Sequence, residues 1–306
     1  MLSHKIDPHQ EAIISARQID GLAEFWLNRP RAVLRYWEKV AREMRIGPAT
    51  FWYGADLSFV EVLCLKSYVD LGIPIVLYAY EPIAHVPQGV VIKDANEIVP
   101  KEKIFKNLER NSYAPFADYF RYKLLQVTDF YWVDADVLAL APFPVEQDYL
   151  FAEQHNIVGN AVLSLPSESP VLAELIEACE NPSSAMPWLS ALKRREMAQL
   201  GDQFDVSHLP YKALGPTALN WLLKTRGMMS WAVPTPVLYP YLPRHMLKSG
   251  SRLLRLLPAE SVAIHVYNSN FRGRLKNAGL EVPPRGSLLG VLCERHGVEP
   301  ADFPIS

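Results

Sequence analysis

With 306 residues, 49% of them hydrophobic and 21% charged, the chain has the balance of a soluble globular protein, long enough to bury a sizeable core as one large domain or two small ones. A net charge of −2 argues against a generally nucleic-acid-binding surface. Three widely spaced cysteines, Cys64, Cys179 and Cys293, argue against a disulfide framework or a zinc ribbon and fit a reducing compartment.

The opening MLSHKIDPHQ has no basic segment leading into an apolar core, and no apolar run approaches the ~20 residues of a membrane helix. The expectation is a cytoplasmic chain. Residues 11–45 place Leu22, Phe25 and Trp26, then Val33, Leu34, Trp37, Val40 and Met44, at helical spacing, with Pro30 between two helices. The opposite faces carry Arg29, Arg31, Arg35, Lys39, Arg42 and Arg45. Such a face is either solvated or attracted to an anionic membrane surface, which would put the chain peripherally at the inner face of a membrane.

At Ile46-Gly47-Pro48 the texture changes. Thr50 to Gly54 reads as a buried strand, Ser58-x-x-Glu61 as a capping box opening a helix to Gly72, and Pro74 to Tyr80 as a second strand, with a third at Val90 to Ile92. Strand, helix and strand at this spacing predict a parallel sheet, whose ligands bind beyond the carboxyl ends of the strands. That rule brings Phe51, Trp52 and Tyr53 to the mouth of the first strand, as plain core aromatics or as a surface on which a base stacks. Further on, Ala114 to Gln126 has a helical pattern in which Asp118, Arg121, Tyr122 and Leu125 share a face.

The chain is organised around Phe130 to Phe143, FYWVDADVLALAPF. An apolar β-rich run delivers Asp134 and Asp136, which extended chain points to the same side. Two carboxylates there are either solvated turn residues or repel each other until a hard cation such as Mg²⁺ or Mn²⁺ compensates them. Tyr149 to Gln154 and Ile157 to Pro166 read as two further strands, with Gly159-Asn160 turned toward the same end, and Ser169 to Glu180 as an amphipathic helix. Gly215-Pro216-Thr217 is a turn into a helix, where a helix start favours anions. Ala263 to Phe271 reads as a short strand carrying His265 and Asn268, with Arg272 and Arg274 beyond it, and Leu288 to His296 as a last helix. A lone strand histidine is either a satisfied core residue or a ligand.

The ordered series FWYG-x-x-LS-x-x-E, PIVLYAYEP, DANEI, ADYFRYKLL and WVDADV resembles the glycosyltransferases with the DxD sugar-binding motif, the group of the yeast α-mannosyltransferases, capsular polysaccharide transferases and clostridial glucosylating toxins. The resemblance spans roughly residues 50–270. It implies an α/β fold of the GT-A type, a Rossmann-like nucleotide-sugar-binding domain with a mixed sheet, over 47–275. A helical N-terminal extension would occupy 1–46, and a helical tail packed on the core 276–306.

It also implies a retaining hexosyl transfer from a nucleotide-sugar, UDP-sugar before GDP-sugar, to a glycan or lipid-linked acceptor, in surface polysaccharide synthesis and with Mn²⁺ or Mg²⁺. On this reading Phe51, Trp52 and Tyr53 hold the nucleoside, and Asp118 and Arg121 the sugar and phosphates. Asp134 touches ribose and sugar and shares the metal with Asp136 and His265, while Gly215 and Asn268 line the donor. Asp118 and Asn160 lie nearest the reacting face. The competing readings are a metal-dependent phosphatase or phosphotransferase with Asp134 as nucleophile, and a non-catalytic sugar-nucleotide-binding module.

Overall fold

The computed structural model describes residues 47–144, 149–154 and 156–305. The helices expected over 11–45 lie outside them. A six-stranded sheet runs through the described chain in the order β3-β2-β1-β4-β7-β6. Its strands are β1 (Pro48–Phe51), β2 (Val76–Ala79), β3 (Val91–Asp94), β4 (Tyr131–Val133), β6 (Leu150–Gln154) and β7 (Ile157–Ser164), and β5 (Val137–Ala139) and β8 (Ala263–His265) pair separately. The first four strands in that order are parallel, β7 runs antiparallel to β4, and β6 antiparallel to β7. The parallel part is what the βαβ spacing predicts, and the antiparallel β7 and β6 make the α/β sheet mixed.

The parallel strands are apolar on both sides because both sides are covered. In β4, Tyr131 and Val133 join a core with α1 (Phe59–Asp70), β5, β8 and the last helix, while Trp132 joins a second core with α2 (Ala114–Val127), α3 (Pro170–Glu180) and α4 (Ala218–Thr225). Burying each such aromatic contributes roughly 1.5–3 kcal/mol, so the sandwich of two cores holds β4 rigidly where it carries the acidic turn. Helix α2 is buried on more than one face: Phe116, Phe120 and Leu124 are as enclosed as Tyr122 and Leu125, while Ala114, Gln126 and Val127 at its ends are exposed. Its expected one-sided face is therefore wrapped by protein instead of meeting solvent.

The block read as a strand over Ala263 to Phe271 is only half extended. β8 stops at His265, Tyr267 adopts a left-handed conformation with φ 57°, and α5 (Asn268–Asn277) begins at once. The cause lies far away in sequence. The Asp136 carboxylate accepts a hydrogen bond from the Asn268 N–H at 2.8 Å, satisfying a helix-start donor that nothing local could cap.

After α5 the chain returns to the first core through α6 (Leu288–Arg295), burying Leu288, Leu289, Leu292 and Cys293. At the end of α1, Asp70 joins this return by accepting from Lys66 and meeting His296 Nδ1 at 2.8 Å. No helix among the described residues is long and apolar enough to cross a membrane.

Candidate metal and donor site

Beyond the carboxyl end of β4 the chain turns sharply. Asp134 donates its N–H to the Ala161 carbonyl at 2.7 Å, and its own carbonyl accepts from the Val137 N–H at 3.0 Å, closing a turn around Ala135. Asp134 and Asp136 thus do not stand on extended chain as expected. Asp134 faces α2 and Asp136 faces β8, and the turn still brings their carboxylates and a His265 ring nitrogen within 4.8 Å of one another. The two aspartates converge because the backbone folds back, not because side chains alternate.

On the α2 side, Arg121 bridges two acids. Its Nη1 donates to Asp118 Oδ1 at 2.8 Å and its Nη2 to Asp134 Oδ1 at 2.6 Å, with the guanidinium 4.8 Å over the Trp132 ring. The Trp132 indole N–H also donates to Asp134 Oδ1, at 2.6 Å. Arg121 is buried and both its terminal nitrogens are engaged, so in this arrangement it braces carboxylates rather than reaching for a diphosphate.

Asp118 also accepts from Asn160 Nδ2 at 2.9 Å. Burial pushes its carboxyl up to about 6 despite Arg121, with Asp134 adding repulsion. Burial likewise raises Asp134, which Arg121 only partly offsets and the charge on Asp136 reinforces.

On the β8 side, Asp136 Oδ1 lies 3.2 Å from His265 Nε2 while its other oxygen caps α5. Burial would raise Asp136, but the His265 charge and hydrogen bond outweigh it and hold the carboxyl below its ordinary range. Burial would lower His265, and Asp136 reverses this and raises it. The His265 ring lies 3.9 Å from the Tyr267 ring, and its Nδ1 is buried with no hydrogen-bond partner.

Two carboxylates that repel, beside the Nε2 of His265, form a group that could hold a divalent ion. Carboxylate oxygen and imidazole nitrogen are both ligands of divalent ions.

The acidic centre opens into a cleft of ≈ 640 Å³. Trp52, half-buried with its indole N–H on the Asp56 carbonyl, and the exposed Tyr53 line one end. Phe51 sits in the wall, 7% exposed and stacked on Phe120 at 4.3 Å, so its ring belongs to the core more than to any ligand. The side-chain amide of Asn268 donates to Glu61, its side-chain oxygen accepts from Arg272 Nε at 3.4 Å and its backbone N–H is on Asp136, so Asn268 braces the wall of the cleft.

Gly215 is not on the cleft surface. It packs behind Asp118, where a Cβ would come 2.4 Å from Asp118 Oδ2. A wide turn over Ala213–Thr217 runs directly into α4 beside it, and the Thr217 and Ala218 N–H groups donate to the Lys212 and Gly215 carbonyls instead of to an anion. Glycine is needed there to admit a carboxylate from behind.

Glu61, Tyr113, Lys212 and Tyr267 are among the lining residues that escaped the sequence reading as site residues. Tyr113, just before α2, tilts against Tyr53 at 4.6 Å, extending the aromatic end of the cleft. The exposed Lys212 enters from the loop before Gly215, in a sequence with no pattern to mark it. Glu61 carried a visible signal, but it was that of a helix cap.

No protein-family model matches the chain, and no curated protein matches it. Among solved structures it is similar to one titled "PaToxG Glycosyltransferase", at 11% identity and a TM-score of 0.39, over 92% of this chain and 96% of that one. A likeness that distant does not speak for this chain's chemistry.

Proposed function

We propose that the chain is a metal-dependent glycosyltransferase that takes a hexose from a nucleotide-sugar and retains its anomeric configuration. The observation that carries this reading is the convergence of Asp134, Asp136 and His265 at the carboxyl end of β4, in one cleft with the Asp118–Arg121–Asn160 cluster and the Trp52–Tyr53–Tyr113 end. Asp134, Asp136 and His265 hold the ion. When bound, it neutralises charge developing on the departing diphosphate.

The aromatic end stacks the nucleobase, which needs only a π-face and leaves base identity open between UDP and GDP donors. Asp118, held from two sides by Arg121 and Asn160, accepts from sugar hydroxyls and fixes the ring over the reacting face. The acceptor hydroxyl attacks the anomeric carbon from the face the diphosphate leaves. The new C–O bond forms as the bond to phosphate breaks, and the hydroxyl proton passes to the leaving phosphate oxygen. No protein nucleophile is required by this route.

A glycan or lipid-linked acceptor of surface polysaccharide synthesis, handled in the cytoplasm at or near a membrane, completes the proposal. Calorimetric titration of UDP and GDP, with and without Mn²⁺, tests it on wild type and Asp136→Ala. Metal-dependent binding of one nucleotide, lost in the variant, is expected. Absence of nucleotide binding under every metal condition, or brisk hydrolysis of simple phosphate esters, would overturn it.

A further inference from the structure

Glu61 is a carboxylate in an odd place. It is the third residue of α1, 1% exposed, and reaches the floor of the cleft beside the acidic centre. One of its oxygens, Oε2, accepts from the Ser58 N–H at 2.9 Å and also from the Ser58 hydroxyl, which is the glutamate half of a capping box. A cap needs no more than that, and a capping glutamate has no reason to be buried. The second oxygen, Oε1, accepts from Asn268 Nδ2 at 2.5 Å, tying the start of α1 to the start of α5.

Asn268 is the residue whose backbone N–H holds Asp136. Just before it stands Tyr267, a non-glycine residue in left-handed conformation that costs on the order of 1–2 kcal/mol and persists only while its surroundings hold it. Its flanks are pinned to one residue: the Val266 N–H donates to the Asp136 carbonyl at 2.9 Å, and the Asn268 N–H to the Asp136 carboxylate. Released from Glu61, the α5 start can relax and turn Asp136 and His265 away from Asp134.

We infer that Glu61 is a positioning residue for the metal centre, holding Asn268 so that the first turn of α5 aims Asp136 at the ion. This rests on the metal-centre reading above. Burial raises the Glu61 carboxyl, with Ser58 drawing it back and Asp136 adding repulsion, so desolvating an acid beside other acids is opposed by these hydrogen bonds.

The test is Mn²⁺ uptake by the full chain, read from the electron paramagnetic resonance signal of free Mn²⁺, beside thermal unfolding without metal. Glu61→Ala removes the acceptor for Asn268 Nδ2, and it is expected to weaken Mn²⁺ by about ten-fold. Asn268→Ala is expected to lose as much, and the double variant no more than either alone, since both break one chain of contacts.

Ser58→Ala removes part of the cap but leaves the Ser58 N–H on Glu61. It lowers the Tm and keeps Mn²⁺ affinity within about two-fold, which separates positioning from helix capping. Mn²⁺ affinity unchanged in Glu61→Ala, or additive losses in the double variant, with a wild type that binds the ion, would overturn this inference alone. A wild type that takes up no Mn²⁺ would overturn the metal-centre reading and this inference with it.

Discussion

The two sides of the acidic centre are built differently. On the α2 side, Asp118, Arg121, Trp132 and Asp134 come from neighbouring stretches of chain, and a buried guanidinium pairs with both carboxylates through its terminal nitrogens while its Nε has no partner. On the β8 side, Asp136, His265, Asn268 and Glu61 come from three distant stretches, with Asp136 and Asn268 132 positions apart, and an orphaned imidazole nitrogen remains. A closed, locally built half gives rigidity. An open half built from distant parts leaves coordination to be completed, so the first should respond to mutation mainly in stability and the second mainly in ligand binding.

The largest expected effect would break the closed half. Arg121→Ala leaves Asp118 and Asp134 buried without their cation and should cost about 3–5 kcal/mol of folding stability, read from the denaturant midpoint. A loss under about 1 kcal/mol would mean that the guanidinium is not the brace described here. Asp136→Ala and His265→Ala strike the open half. Each should weaken Mn²⁺-dependent nucleotide binding by about 100-fold, about 2.7 kcal/mol, with a smaller change in the unfolding midpoint of the metal-free chain.

Gly215→Ala presses a methyl group against Asp118 from behind, and overpacking of this kind costs about 1–3 kcal/mol. It should also shift the nucleotide-sugar KM while leaving Mn²⁺ affinity of the free chain intact. Equal loss of both would show the two halves to be coupled more tightly than their contacts imply.

The smallest effect serves as a reference outside the cleft. Burial pushes the Asp70 carboxyl up, but hydrogen bonds from His296 and Lys66 outweigh it and hold it below its ordinary value. A carboxyl lowered in the folded state adds stability that is fully present above its unfolded pKa, about 4, and is lost as pH falls through the lower folded value. Asp70→Asn should therefore cost about 1 kcal/mol at neutral pH. Urea midpoints of the two proteins should converge as pH falls below about 4.

The parts legible in the sequence share one property: their cause is local. The βαβ spacing gave a parallel sheet because strand and helix periodicities are written in neighbouring residues. Asp118 and Arg121 could be paired at sight because residues three apart on a helix meet. Trp52 and Tyr53 followed from the rule for strand ends, whereas the burial of Phe51 depended on Phe120 closing over it, which nothing near Phe51 records.

Where the sequence reading went astray, the deciding partner was remote. Ala263 to Tyr267 has strand propensity and Asn268-Ser269-Asn270 reads only as a break, while a carboxylate from the turn after β4 starts a helix at Asn268. Gly215 announces a turn but not the carboxylate it makes room for. Glu61 reads as a cap because Ser58 is three residues away, while its second partner is 207 positions distant.

By itself, then, the sequence determined the apolar strand that ends in Asp134 and Asp136, the helix carrying Asp118 and Arg121, and the layer class of the fold, all set by periodicity and short-range sterics. The tertiary structure alone decided that Asp136 faces His265, that Asn268 caps onto it, and that Glu61 stands beneath. Pairing β5 with β8 is a long-range contact whose free energy comes from burying both strands in a common core, and no residue states that in its own neighbourhood.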